Sequence, residues 1–172
     1  MQISFSHKRL YLSRQSRYIV FCLFWLAGFL LGMVLVAGLD GSLFSLMRPA
    51  FGGWVSIIRQ FAALILPFLF AAFAAYSNKP FFVQFLCLLK ACGFTFCGMA
   101  INSAYGSAAW LVRFLLQFSD TLTLPIFCWF CLQILRKKCV VLNDLIICIV
   151  FAAIFVCIEH FAVLPFLAEL ID

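Results

Sequence analysis

The sequence predicts an all-α polytopic integral membrane helix bundle, with about five transmembrane helices plus a short amphipathic or re-entrant helix. Three observations carry this. Apolar residues make up 67% of the 172-residue chain and charged residues only 10%, against about a quarter charged in soluble domains. The apolar residues come in continuous runs, not in the in–out alternation over about ten residues that a membrane barrel requires, so the backbone must satisfy its own hydrogen bonds as helices. The stretch 63–102 sets two such runs around a tight polar turn, Ser77-Asn78-Lys79-Pro80. With the first run counted from Ile57, each has the roughly 20 residues needed to cross about 30 Å of hydrocarbon.

Residues 1–17 form a short basic segment containing Lys8, Arg9, Arg14 and Arg17. Residues 18–172 read as a single transmembrane helical domain with no internal repeat. The first span, 18–39, is too long for a signal-peptide core of about 7–15 residues and ends without an A-x-A site, so it is expected to be retained. Its Gly28 and Gly32 form a GxxxG pattern, which lets a second helix approach closely. A connector, 40–55, opens and closes on turn signals, Asp40-Gly41 and Gly52-Gly53. Between them Leu43, Phe44, Leu46 and Met47 suit either a short surface helix, with Trp54 at the interface, or an ordered loop.

The second span, 57–76, contains Pro67, which should bend it. The third, 81–101, carries Lys90 followed by small residues at Ala91, Gly93, Gly98 and Ala100. Gly93 and Gly98 are expected to serve helix packing. Residues 107–135 would make a straight helix of about 43 Å, too long for one crossing. Phe118-Ser119-Asp120-Thr121 and Pro125 predict a break. An amphipathic piece, 108–117, with Arg113 and Gln117 one turn apart, then lies at the interface or dips into the membrane. The fourth span, 121–135, is short and relies on bilayer thinning or snorkelling flanks. It ends at Arg136-Lys137-Lys138. The last span, 145–164, is capped by Asp144 and includes Glu159 and His160, with Pro165 near its end.

The net charge of +6 does not imply nucleic acid. The basic clusters flank apolar runs, as membrane anchors do, and none alternates with exposed aromatics on a polar face. Counting Lys and Arg in the connecting segments places the N-terminus inside and, after five spans, the C-terminus outside. Eight of the nine cysteines sit in apolar runs, where cysteine packs as a small hydrophobe. Cys128-Trp-Phe-Cys131 has C-x-x-C spacing but lacks a second Cys or His pair for zinc. No metal, cofactor or catalytic residue is therefore expected. HExxH, GxSxG and phosphate-loop patterns are all missing from the sequence, so the chain is expected not to be an enzyme.

An ionisable side chain inside a membrane is a functional candidate because leaving it charged and unpaired is costly. The candidates are Lys90, Glu159, His160, Asp120 and Arg113. By helical rise Lys90 lies about 15 Å, and Glu159 about 22 Å, from the inner ends of their spans. That gap is within a lysine's reach and predicts a Lys90–Glu159 ion pair, acting as a structural clamp or as a proton or ion relay. Glu159 and His160 are adjacent, so they should diverge by about 100° and not face each other.

From residue 18 to 138 the order of features resembles the stage II sporulation protein M family. The resemblance rests on a first helix with Gly28 and Gly32, then Ile65-Leu66-Pro67. Leu89-Lys90-Ala91-Cys92-Gly93 and Gly98 follow, then Tyr105-Gly106, a short helix, Leu124-Pro125 and closing basic residues. The family's first outer loop is usually longer than 40–55. The resemblance implies a multi-pass protein of the bacterial cytoplasmic membrane. In endospore formers it would anchor extracytoplasmic peptidoglycan hydrolases during engulfment, without being an enzyme itself. The expected function is therefore a scaffold whose partners, besides the lipid bilayer, are membrane or extracytoplasmic proteins, and an oligomer is compatible with it. The alternative is a small transporter subunit, which predicts a midplane cavity lined by Lys90, Asn102, Asp120, Glu159 and His160 with discontinuous helices around it.

Overall fold

The protein was analysed as a computed structural model, which describes residues 14–38, 54–77, 80–105, 109–137 and 142–171. Helix α1 spans Arg14–Ala37, α2 Trp54–Tyr76, α3 Pro80–Tyr105, α4 Ala109–Leu116, α5 Phe118–Lys137 and α6 Leu142–Ile158. A π turn, Glu159–Val163, then leads into α7, Leu164–Ile171. Among the described residues, five helices are long and apolar enough to cross a membrane, the fifth running from α6 through the π turn. The chain is an all-α bundle and a multi-pass membrane protein. The connector 40–53, the basic residues Lys8, Arg9, Arg48, Lys79 and Lys138, and Cys139 lie outside the described residues.

Side-chain pairing fixes the directions of the five spanning helices. Phe24 meets Phe81 edge-on at 5.9 Å, Gly28 meets Leu88 and Ala91, and Gly32 meets Cys92 and Thr95. Val36 packs with Ala100. Helices α1 and α3 are therefore parallel from Phe24 to Val36. Leu64 of α2 packs with Ala152 and Val156 of α6, while Phe68 of α2 meets Phe127 at 5.2 Å and Phe130 at 5.7 Å on α5. Thus α2 and α5 run one way, and α1, α3 and α6 the other.

Packing in lipid gains little from the hydrophobic effect, because lipid tails are as apolar as the side chains. It depends on close fit. The centre of the bundle is accordingly two phenylalanine clasps, Phe68 with Phe127 and Phe130, set among small side chains: Ala71, Ala74, Cys87, Ala91 and Cys131. The outside is apolar, with Leu23, Leu30, Val34, Phe73, Leu89, Val150 and Phe161 exposed. All eight cysteines among the described residues are free thiols.

Several boundaries differ from expectation for identifiable reasons. Helix α5 starts at Phe118, not 121, and the break falls at Gln117. Pro125 does not interrupt α5; it lies inside it, as Pro67 lies inside α2. Helix α6 starts at Leu142, so Asp144 occupies the first turn, where its charge opposes the positive end of the helix, and does not form the cap. Helical structure continues through Pro165 because the π turn precedes it. Proline removes an N–H and its ring crowds the carbonyl four residues earlier. The turn before it is widened, with the Leu164 N–H donating to the Glu159 carbonyl five residues back.

The two glycine expectations separate. A Cβ on Gly32 would stand 2.6 Å from the Cys92 carbonyl oxygen and 2.8 Å from the Thr95 Cβ, and one on Gly28 would overlap the Leu88 carbonyl. Gly93, by contrast, is no packing glycine: among the described residues nothing beyond its own helix turn lies within 4 Å of where its Cβ would be. Replacing Gly32 with Leu should therefore destabilise the bundle by about 1–3 kcal/mol through overpacking, whereas Gly93→Ala should be tolerated. Equilibrium unfolding in mixed detergent micelles would measure both. Equal losses at the two positions would contradict the assigned packing.

Candidate functional site

The site is built at the junction of α4 and α5. Helix α4 descends along α3: the Arg113 guanidinium lies against Gly98 and 5.9 Å from the centre of the Phe94 ring. One turn on, Gln117 Nε2 donates to the Phe94 carbonyl at 3.3 Å. Residues 113–117 thus run alongside α3 from Gly98 towards Phe94. Gly98 is a packing glycine because Arg113 fills the space its side chain would need. The helical ladder crosses the break at two points, Gln117 N–H to the Arg113 carbonyl (2.9 Å) and Thr121 N–H to the Gln117 carbonyl (2.7 Å).

Between those two bonds the Ser119 N–H turns away from the ladder. It donates to Glu159 Oε2 at 2.7 Å. Glu159 comes from the π turn and is 2% exposed. Its other oxygen accepts from Gln60 Nε2 of α2 at 2.7 Å. Gln60 Nε2 also lies 2.9 Å from Ser119 Oγ, and Gln60 Oε1 lies 2.7 Å from His160 Nε2. The Thr123 hydroxyl donates back to the Ser119 carbonyl at 2.8 Å. One cluster thus ties α2, α5 and the π turn together.

A second cluster occupies another face of the same turn. Lys90 Nζ of α3 pairs with Asp120 Oδ1 at 2.5 Å. The lysine is largely shielded and the aspartate partly exposed, 14% against 41% of side-chain surface. The predicted Lys90–Glu159 pair is not formed. The first turn of α5 stands between them, and Asp120, on that turn, reaches Lys90 first. Glu159 instead takes neutral donors.

Of the predicted site residues, Lys90, Asp120 and Arg113 gather on the α3 side of the break, and Glu159 and His160 on the α2 side. Glu159 and His160 do not face each other, yet Gln60 bridges them through the two ends of its amide. Asn102, about three turns beyond Lys90 on α3, belongs to neither cluster. Gln60 was not singled out by the sequence, and Ser119 only as part of the predicted break. The available signal was an amide and a hydroxyl placed inside apolar spans, where each must find a partner.

Among the described residues no group of three His, Cys, Asp or Glu side chains could hold a metal ion. Comparison with protein-family models, with curated proteins and with solved structures finds no match.

The ion pair makes a measurable prediction. Lys90→Met or Asp120→Leu alone leaves one intramembrane charge without its partner and should cost up to about 2.5–3.5 kcal/mol. The double substitution should recover most of that loss. Unfolding of the four proteins in the same micelles gives the coupling, and strictly additive losses would show that the pair contributes nothing.

Proposed function

We propose that the chain is a non-enzymatic scaffold of the bacterial cytoplasmic membrane, N-terminus inside and C-terminus outside. It would hold extracytoplasmic cell-wall-remodelling partners, as the resemblance to stage II sporulation protein M implies. One observation carries the reading. The ionisable groups inside the bundle are engaged with other helices of the same chain: Lys90 with Asp120, and both Glu159 oxygens with Ser119 and Gln60. Groups used this way join α2, α3, α5 and the π turn into one rigid unit, which suits a platform. In this orientation the start of α4 lies on the extracytoplasmic side, and its exposed Trp110 supplies the kind of aromatic anchor that partner surfaces favour.

A second reading, a small transporter subunit, draws support from the helix broken beside a buried acid, an arrangement transporters use around bound substrate.

Affinity purification of tagged protein from gently solubilised membranes separates the two. The scaffold reading expects peptidoglycan hydrolases among the recovered proteins, and Trp110→Ala should reduce their yield several-fold without altering the protein's own abundance. Recovery of an ATPase or a second permease subunit, with no hydrolase, would favour transport.

A further inference from the structure

We propose that Glu159, Gln60 and His160 form a proton-binding site in which the orientation of the Gln60 amide follows the position of one proton. The site goes beyond the scaffold reading and does not depend on it.

The argument starts from what an amide can do. Its NH2 only donates and its carbonyl only accepts. With Gln60 Nε2 2.7 Å from Glu159 Oε1 and Gln60 Oε1 2.7 Å from His160 Nε2, the carboxylate accepts and His160 must carry a hydrogen on Nε2. Rotating the amide by half a turn exchanges oxygen and nitrogen and leaves the heavy-atom positions in place. The carbonyl then faces Glu159, which must be protonated to donate to it. The NH2 faces His160, whose Nε2 must be bare.

Every other hydrogen bond survives the exchange. The Ser119 hydroxyl, 2.9 Å from the amide nitrogen, accepts from an NH2 or donates to a carbonyl. The Ser119 N–H keeps Glu159 Oε2 in both arrangements. The empty site holds a carboxylate and a neutral imidazole protonated on Nε2. One proton taken from bulk water has two resting places. It can sit on His160 Nδ1, giving an imidazolium and a carboxylate. Alternatively it forms an O–H on Glu159, with the amide turned and the imidazole in its Nδ1–H form. The total charge is the same in both.

Among the described side chains, no Lys, Arg or second carboxylate bonds to Glu159 or His160. Glu159 is almost completely buried, and its hydrogen-bond donors are an amide and a backbone N–H. On the elements packed around it, Asp120 of α5 is held by Lys90 of α3. Arg113 of α4 lies on Phe94 and Gly98. Arg59 of α2 and Cys157 of α6 are exposed, and Asp144 is in the first turn of α6, at the other end of that helix. His160 is half-buried, so the proton enters from its side.

The test uses the full chain in lipid nanodiscs, with ¹⁵N-labelled histidine and His7→Asn to leave His160 as the only signal. Infrared difference spectra on acidification follow the carboxylic-acid carbonyl band of Glu159, identified by its loss in Glu159→Gln. A shared proton titrates the pair as a unit. The imidazole signal and the Glu159 band should therefore move with one common midpoint. In Gln60→Met and Gln60→Asn, neither of which spans both partners with an amide, the midpoints should separate. In Glu159→Gln, the His160 midpoint should shift. Distinct midpoints in the unmodified site, no Glu159 band while His160 titrates, or a common midpoint in a folded Gln60 variant would each overturn the proposal. If neither Gln60 variant folds, an unshifted His160 midpoint in Glu159→Gln overturns it as well.

Discussion

A helix interrupted inside a membrane has no water to take up the backbone groups it frees, and the structure depends on how that demand is met at Gln117. Each unmet N–H or C=O in hydrocarbon costs several kcal/mol. Here the ladder is carried across the break by two backbone bonds, and the Ser119 N–H is taken by the Glu159 carboxylate. That single acceptor fixes much else. It sets the register of the last span against α5. It gives the π turn a purpose, since the turn presents Glu159 at the depth of the break. It also requires a second donor for the remaining oxygen, which Gln60 supplies from α2.

Magnitudes identify what makes the junction rigid. Interhelical hydrogen bonds in membranes are worth only about 0.6 kcal/mol on average, so the bonds of the Glu159 cluster together contribute a few kcal/mol at most. The larger quantity is the cost of leaving any one group unmet. The cluster therefore acts chiefly as a constraint: a packing of α2, α5 and α6 that separates Glu159 from Ser119 and Gln60 would leave those groups unmet. The Lys90–Asp120 pair works in the same way on the other face, more weakly, since Asp120 is partly exposed and Glu159 is not.

Much of the architecture was legible in the sequence because membrane spans follow from length and composition. The five spans, the close approach at Gly28 and Gly32, and a short separate helix before the fourth span all follow from local pattern. What local pattern cannot supply is the lateral arrangement of helices. Depth along each span put Lys90 and Glu159 within reach of one another, but it could not show that the first turn of α5 lies between them. Nor could spacing distinguish Gly98, which makes room for Arg113, from Gly93, which faces open space. Gln60 escaped notice because a neutral polar residue near a helix start, beside Arg59, reads as an interface residue. Its importance comes from an amide's two unlike ends, which matter only once both neighbours are known.

The two clusters meet on consecutive residues. Ser119 and Asp120 project about 100° apart from the same turn, one toward α2 and the π turn, the other toward α3. The Lys90–Asp120 pair is internally neutral and holds that turn against α3. The Glu159–Gln60–His160 set can rearrange around a proton while keeping Ser119 in place. A fixed contact on one face and an adjustable one on the other allow the break to respond chemically without moving its backbone.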